Sequence, residues 1–382
     1  MIHFILALVL LVLFGKLLTE VMERIGLVSV LANFTVGLVF GVSMLALIDA
    51  GDPIIVAFAE VGAILLLFIA GYEESDLGFM IKREKKILTV ALFGLAAGIF
   101  SLLIFGHNVL GLLPLETLFF AIAFAVTDIA VAAKVILSTR KLKEDSSKTL
   151  LGIAVVDTVL GIIVLALAVA ANSASIFEML WVLGGIIFFF AVTVLVYKFV
   201  PRLIKLATHM EAEAADFSAA FLVILFLAYM AEFLGLAMVL GAYFAGLILQ
   251  RSPELRARDF SQKIKAMAYG FFVPVFFAWM GLQTDLSTLG EFWAVSLLIV
   301  AVAVLPKLVA ILLASMGTGS NFREALVYGI GLSAKGADNL IVLTIGISMG
   351  VFATTGMILS AMAVAILLSI LFSTISLRLL LR

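Results

Sequence analysis

The stretch IGLVSVLANFTVGL at residues 25–38 returns in altered form as LGLAMVLGAYFAGL at residues 234–247. The first Gly-Leu pair, the Val-Leu pair and the closing Gly-Leu coincide at an offset of 209 residues. A second pair of stretches, 68–77 and 277–286, matches at an offset of 209 to 210, through FIAG and FAWMG, each followed by Asp-Leu. Two matches at one spacing indicate that the chain contains an internal repeat.

The composition indicates that the membrane is the solvent of this chain. Apolar residues occupy 65% of the 382 positions and charged residues only 13%, whereas soluble domains average about half apolar and about a quarter charged. Apolar runs long enough to cross a bilayer recur along the whole sequence. Cysteine is absent, there are three histidines, and no basic block or glycine-rich phosphate loop is present. We therefore expect no transition-metal centre, no cofactor and no nucleic-acid partner.

Charged and Gly/Pro clusters divide the chain, a single membrane unit over 1–382, into thirteen predicted spans. They lie at residues 3–22, 27–48, 53–72, 86–106, 114–138, 147–171, 176–200, 216–232, 235–250, 264–283, 291–315, 322–349 and 352–379. Of the 24 lysines and arginines, 20 fall in odd-numbered connections or at the C-terminal end, and the even-numbered connections contain none. The positive-inside rule then predicts a multi-pass protein of the cell (inner) membrane, with the N-terminus outside and the C-terminus in the cytoplasm.

The repeat has an inverted topology. Each matching pair joins a span to the one seven later, and because seven is odd the two copies cross the membrane in opposite directions. Inverted repeats are typical of secondary transporters, whose binding sites lie near the bilayer midplane where the repeats meet. The predicted fold is therefore an all-α polytopic membrane protein of about 13 helices, with six spans, a linker helix at 176–200 and six more spans.

Two of the acids at membrane depth follow the repeat. Asp128, after Thr127 in span 5, and Asp338, in the KGADN stretch of span 12, are 210 residues apart. These polar residues, with Lys335 and Gly336, predict two discontinuous helices that break at the bilayer centre. A break exposes unpaired amides and carbonyls, so the two aspartates can cap amide ends while Lys335 compensates the carbonyl ends. We favour this scaffold role, and a direct role as ion ligands stays open.

One acid and one base have no copy in the other repeat. Asp157 lies mid-way along span 6, and the offset takes it to the apolar residues 366–367; Lys307 in span 11 has residues 97–98, Ala-Gly, as its mate. Residues with a scaffold role should occur in both repeats, whereas the residues of a unique site need not. Burial favours the neutral form of either group until the two pair or an ion binds. We therefore expect a cation at Asp157 to compete with a proton or with Lys307; the alternative is a static buried salt bridge.

At these positions the chain resembles the cation/proton antiporter superfamily, in the branch that includes NapA-like and KefC-like transporters. The resemblance covers nearly the full length and rests on LLFIAGYE (66–73), Thr127-Asp128, Val156-Asp157, the stretch 235–247, PVFF (274–277) with Gly281, Lys307 and Lys335-Gly336. It implies a homodimer in the lipid bilayer, with a panel domain (3–72 and 216–283) and a mobile core (86–171 and 291–379) that contains crossed, broken helices. It also implies that the core moves like an elevator to exchange Na⁺, Li⁺ or K⁺ for H⁺.

The sequence departs from the family pattern at two positions. Members usually have two acids in span 6, or an amide and then an acid, and the second carboxylate binds the ion. With Gly161 as the anchor, Asp157 takes the first position and Thr158 the second, so a hydroxyl replaces the usual ligand. A shift of register by one residue would make Asp157 that ligand. Ala337 stands where the family often has glutamate.

The predicted function is Na⁺(Li⁺)/H⁺ antiport, and one carboxylate with one lysine favours one-for-one exchange. K⁺/H⁺ antiport is the near alternative, and the threonine leaves open a member repurposed for another solute. An intramembrane aspartyl hydrolase that uses Asp157 and Asp338 is a third class, against which the inverted repeat argues. We expect a transporter and not an enzyme. The candidate ion-binding residues are Asp157, Thr158, Asp128 and Thr127, with Lys307 as charge partner.

Overall fold

A computed structural model gives the architecture and describes residues 3–24, 29–73, 82–129, 131–133, 144–173, 176–234, 236, 238–257, 260–283, 289–335, 339, 342, 351–352 and 355–380. Helices are the regular elements throughout these ranges. They are α1 (Phe4–Arg24), α2 (Ser29–Phe40), α3 (Pro53–Glu73), α4 (Glu84–Asn108), α5 (Pro114–Ala125), α6 (Glu144–Ser173), α7 (Ile176–Thr208), α8 (Ala215–Phe233), α9 (Met238–Leu249), α10 (Pro253–Ala257), α11 (Phe260–Met267), α12 (Val273–Leu282), α13 (Leu289–Gly317), α14 (Phe322–Gly331) and α15 (Thr355–Leu380).

The helices are consistent with a count of about thirteen spans. Each of the thirteen spans contains a helix, and eight helical segments of the described chain are long and apolar enough to cross a membrane. The helices α2, α5 and α9 are shorter, with 12 residues each. Large apolar side chains such as Phe93 and Phe100 of α4 are exposed, as expected where lipid replaces water. The chain is a multi-pass, all-α membrane protein.

Four glycines show that the two repeats pack as copies of each other. A Cβ atom built at Gly37 of α2 would overlap the backbone of α12 beside Gly281, and one built at Gly281 would overlap α2. Gly71 of α3 and Gly246 of α9 approach each other's helices in the same way. Because Gly37 is the repeat mate of Gly246 and Gly71 that of Gly281, the two crossings are copies. Small residues that let backbones touch determine where membrane helices cross, and these crossings follow the predicted repeat.

The helices pack into two groups that one helix connects. The panel group consists of α1, α2, α3, α8, α9, α11 and α12, which make extensive contacts with one another. The core group consists of α4, α5, α6, α13, α14 and α15. The 33-residue helix α7 packs on α6 of the core group and on α8 and α9 of the panel group. The candidate site lies in the core group.

A lysine of α1 compensates for a proline in the panel group. Residues 268–272 form a π turn between α11 and α12, in which a carbonyl accepts from the N–H five residues later. Pro274 has no N–H to donate to the carbonyl of Tyr269. Lys16 Nζ donates to that oxygen at 2.6 Å. This hydrogen bond ties α1 to the irregular turn of span 10.

Candidate functional site

Span 5 breaks at a Val-Thr-Asp sequence inside the core group. The helix α5 ends at Ala125, Val126 is extended (φ −66°, ψ 142°), and helical residues resume at Ile129. The Oδ1 atom of Asp128 accepts the backbone N–H of Val131 at 2.8 Å, which is the arrangement of a helix N-cap. Asp128 therefore lies at the amide end of the break.

Span 12 breaks beside span 5. The helix α14 is followed by residues 332–335, which are not helical. The Thr127 hydroxyl donates to the carbonyl of Leu332 at 2.7 Å, and the backbone N–H of Asp128 donates to the carbonyl of Ala334 at 3.1 Å. The two discontinuous helices thus cross at their breaks, as the sequence predicts.

Two side chains from span 12 cover the carbonyl end of α5. Lys335 Nζ donates to Val126 O at 2.9 Å and to Ala125 O at 3.3 Å. The Asn339 amide donates to Val126 O at 3.0 Å and also to Ala123 O. The last carbonyls of a helix have no intrahelical partner and carry its negative dipole end, so these donors stabilise them. Lys335 was predicted to compensate these carbonyl ends, whereas Asn339, in the same KGADN stretch, was not among the predicted site residues.

Asp157 and Lys307 form a buried ion pair next to the break. Lys307 Nζ lies 2.9 Å from Oδ2 and 3.1 Å from Oδ1 of Asp157, and both side chains are buried. The same ammonium donates to Thr127 Oγ1 at 2.8 Å and to Ala125 O at 2.6 Å. The backbone N–H of Thr127 donates to Asp157 Oδ2 at 2.8 Å. A carboxylate, a hydroxyl and a carbonyl therefore satisfy the three N–H groups of the lysine.

Glycines of α4 lie beside the stem of this lysine. Gly98 is the repeat mate of Lys307, and a Cβ atom built there would lie 3.7 Å from Lys307 Cδ and 3.3 Å from Ala125 Cβ. A Cβ atom at Gly94 would lie 3.8 Å from Lys307 Cε. The apolar stem of the lysine thus runs past two residues that have no side chain. One repeat supplies the lysine, and the other supplies glycine beside its path.

A proline in α13 and a glycine in α6 lie where these helices approach the break. Pro306, directly before Lys307 in α13, has no N–H for the carbonyl of Val302. The Ser101 hydroxyl, which donates to Gly98 O at 2.9 Å, also lies 3.2 Å from Val302 O. In α6, a Cβ atom at Gly161 would overlap the side chain of Val126. This glycine, one turn after the central aspartate, lets α6 approach the break closely.

One family profile matches nearly the whole chain. The profile described as sodium/hydrogen exchanger, transmembrane, aligns with residues 9–382. The chain belongs to the sodium/hydrogen exchanger family. A relative in Bacillus cereus, the probable Na(+)/H(+) antiporter GerT, is 28% identical over 91% of this chain and 91% of its own length. The Na(+)/H(+)-K(+) antiporter GerN, also of Bacillus cereus, is 28% identical over 88% of this chain and 86% of its own length.

A solved structure shows the same fold. The sodium proton antiporter MjNhaP1 from Methanocaldococcus jannaschii matches with a TM-score of 0.72 over 99% of this chain and 97% of its own. Its sequence identity to this chain is 19%. At this identity the similarity supports the arrangement of the helices alone.

In this member of the sodium/hydrogen exchanger family, a threonine follows the central aspartate. The Thr158 side chain is buried. Its hydroxyl donates to Ala154 O at 3.0 Å and lies 3.4 Å from Thr127 O. The hydroxyl thus faces the same break as Asp157 and adds an oxygen atom without a charge.

The predicted site residues divide by position. Thr127, Asp157, Thr158 and Lys307 lie together at the break, whereas Asp128 and Lys335 lie at its amide and carbonyl ends. Gly336 and Asp338 lie outside the described residues, and their roles stay predictions. The ammonium of Lys335 interacts electrostatically with Lys307, Asp157 and Asp128. Removing one partner of the buried Asp157–Lys307 pair should cost several kcal/mol, because the remaining charge is left without compensation.

Proposed function

We propose that this chain is a secondary active monovalent cation/proton antiporter, most simply for Na⁺ or Li⁺, and not an enzyme. The observation that carries the proposal is the set of oxygen atoms around the Lys307 ammonium. Asp157 supplies both carboxylate oxygens, Thr127 its hydroxyl and Ala125 its carbonyl. Carboxylate, hydroxyl and carbonyl oxygens are also the ligands that hard metal cations prefer.

Competition for these oxygens couples the two ions. A metal cation and an ammonium in one dry site repel each other strongly, because the local dielectric constant is low. Entry of the cation therefore displaces Lys307 from Asp157, and the lysine, without its carboxylate, loses a proton. When the cation leaves, Lys307 takes up a proton and pairs with Asp157 again. One cation exchanges for one proton, and the carboxylate carries a positive partner in both states.

We assign alternating access to relative movement of the two packing groups. In this proposal the panel domain, 3–72 and 216–283, stays fixed in the lipid and forms a homodimer. The core domain, 86–171 and 291–379, moves against it like an elevator while the linker helix at 176–200 connects the two. Support comes from the extensive packing within each group and from the contacts of α7 with both. The charge pattern supports an external N-terminus and a cytoplasmic C-terminus in the cell membrane.

K⁺/H⁺ exchange is the second candidate. Two observations favour keeping it: a relative is named as a Na(+)/H(+)-K(+) antiporter, and Thr158 stands where the resemblance predicts a ligand carboxylate. A site with one carboxylate and several neutral oxygens places less negative charge around its cation than a site with a second carboxylate does. Transport of another solute through the altered site makes a different prediction, since it needs no cation-driven proton flux.

Proteoliposomes that contain a pH-sensitive dye test the proposal. Na⁺ or Li⁺ gradients should drive proton movement in the wild type, and the same experiment with K⁺ ranks the two candidates. Asp157→Asn should abolish this flux. Glu144→Gln is a matched control, because Glu144 is an exposed acid of the same helix that pairs with Lys148, and it should transport like the wild type. Unchanged exchange in Asp157→Asn would contradict the mechanism, and no flux with any of the three cations would contradict antiport.

A further inference from the structure

A second charged site lies at the end of the core group where α4 begins and α13 ends. An open pocket of about 660 Å³ is lined by Lys82, Arg83, Glu84, Lys85, Lys86, Thr318 and Gly319. Its lining carries four cations and one carboxylate. The pocket is distinct from the ion-pair site, because Lys86 precedes Gly94, the first glycine beside Lys307, by two turns of helix, about 12 Å along the axis.

Among the residues that the structure describes, carboxylates compensate only part of this charge: Glu84 lines the pocket itself. Arg83 Nη2 lies 3.1 Å from Asp145 Oδ2 at the start of α6. Lys86 Nζ lies 5.5 Å from the ring centroid of Tyr328 and interacts electrostatically with Glu324. Lys82 and Lys85 are exposed. The pocket therefore presents an excess of positive charge to an anion that enters it.

An apolar, lipid-facing surface begins directly beneath the pocket. Leu88 and Leu92 of α4 are 48% and 45% exposed. They follow Lys85 of the pocket by three and seven residues, and residues at these spacings lie on one face of a helix. The exposed side of the basic pocket and the apolar surface of α4 therefore form one continuous face.

We propose that this face binds an anionic phospholipid, with the phosphate headgroup in the basic pocket and the acyl chains along α4. Lysine and arginine donate strong, charge-assisted hydrogen bonds to phosphate oxygens. Basic pockets between membrane helices recognise lipid headgroups by this chemistry. A soluble anion makes use of the four cations but not of the apolar surface beneath them, whereas a phospholipid matches both. The positive-inside pattern assigns this end of the core to the cytoplasmic leaflet.

Lipid binding to the purified full-length chain tests the proposal without a transport measurement. In an uncharged detergent, native mass spectrometry should show retention of phosphatidylglycerol in preference to phosphatidylcholine. The double substitution Lys82→Gln/Lys85→Gln should weaken phosphatidylglycerol binding by about 30-fold, from the contribution of two basic residues at a headgroup. Lys82→Arg/Lys85→Arg should bind like the wild type.

The matched control removes two exposed lysines of the same predicted side, outside the pocket. Lys198→Gln/Lys205→Gln in α7 should change the affinity by about threefold or less, since only the long-range field is altered. All variants should retain the thermal unfolding temperature of the wild type. Equal loss of binding in the two glutamine doubles, or equal retention of the two lipids, would overturn the proposal. Binding of inorganic phosphate as tight as that of the lipid would also overturn it, because the pocket would then be a site for a soluble anion.

Discussion

The panel group and the core group follow the internal repeat to different extents. In the panel group, Gly37 meets the helix of Gly281, and Gly246 meets the helix of Gly71, so that one crossing occurs twice. Each glycine has a glycine as its mate. The panel group thus uses the repeat as scaffolding, because close backbone contact stabilises helix pairs in the membrane.

The core group keeps the symmetry of its backbone and loses that of its charges. Spans 5 and 12 both break, and their breaks contact each other. Lys307, however, lies beside its mate Gly98, and Asp157 has apolar residues at the corresponding offset. Symmetric positions thus hold the helices together, while the unsymmetric pair forms the single ion site that we propose.

The largest effect is expected from removing the unsymmetric lysine. Lys307→Met leaves Asp157 buried without its cation, which should lower the free energy of unfolding by about 3–5 kcal/mol and abolish coupled transport. Lys307→Met/Asp157→Asn should regain most of this stability and none of the transport. Thermal unfolding and proteoliposome flux measure the two effects. A double variant as unstable as Lys307→Met would show that the pair does not account for the loss.

Substitutions at the glycine crossings should destabilise the protein less, and by equal amounts at symmetric positions. Gly71→Ala and its mate Gly281→Ala each force a Cβ atom into backbone of the crossing helix, which should cost about 1–3 kcal/mol. Gly184→Ala is the control, because a Cβ atom there meets nothing within 4 Å. Thermal unfolding of the purified variants compares the three. Destabilisation at only one of the two mates would break the symmetry argument for the panel group.

We expect Asp128 to stabilise the break in span 5 and not to bind the ion. Asp128→Ala removes the cap on the Val131 N–H and should lower stability by about 1 kcal/mol, whereas Asp128→Asn keeps a capping oxygen and should lose much less. If the role of Asp128 is to cap the helix, the transport rate of Asp128→Asn should stay within about threefold of the wild-type rate. Loss of exchange in Asp128→Asn with unchanged stability would instead make Asp128 an ion ligand.

The smallest effect is expected at Thr158. Thr158→Val removes the hydroxyl that faces the break but keeps the side-chain volume, so the Na⁺ concentration for half-maximal flux should rise by about threefold to tenfold, as for one lost polar interaction. Thr158→Ser keeps the oxygen and should behave like the wild type. The dye assay at varied Na⁺ concentration measures this. An unchanged value in Thr158→Val would place the hydroxyl outside the cation's ligands.

Much of the fold could be predicted because its signals are local or repeated. Hydropathy and the positions of lysine and arginine determine the spans, and polar residues with glycine mark the two breaks. Comparison of the repeats was enough to select Asp157 and Lys307. The predicted roles of Gly336 and Asp338 stay predictions.

The details of the site could not be predicted, because they depend on how distant segments cross. The carbonyl of Ala125 and the hydroxyl of Thr127 lie 182 and 180 residues from Lys307 in sequence. Asn339 contacts a carbonyl 216 residues away. Every residue has a backbone carbonyl, so the identity of Ala125 gives no sign that its carbonyl accepts a hydrogen bond from a buried lysine. Only the geometry of the crossed breaks brings these atoms together.

Proton release on sodium binding tests the central claim most directly. Isothermal titration calorimetry of the purified protein, in buffers with different enthalpies of ionisation, counts the protons released per bound Na⁺. The wild type should release about one proton per ion, because the cation takes the oxygens that hold the Lys307 ammonium, and Asp157→Asn should neither bind Na⁺ nor release a proton. Sodium binding without proton release, or release that persists in Asp157→Asn, would contradict exchange at the Asp157–Lys307 pair.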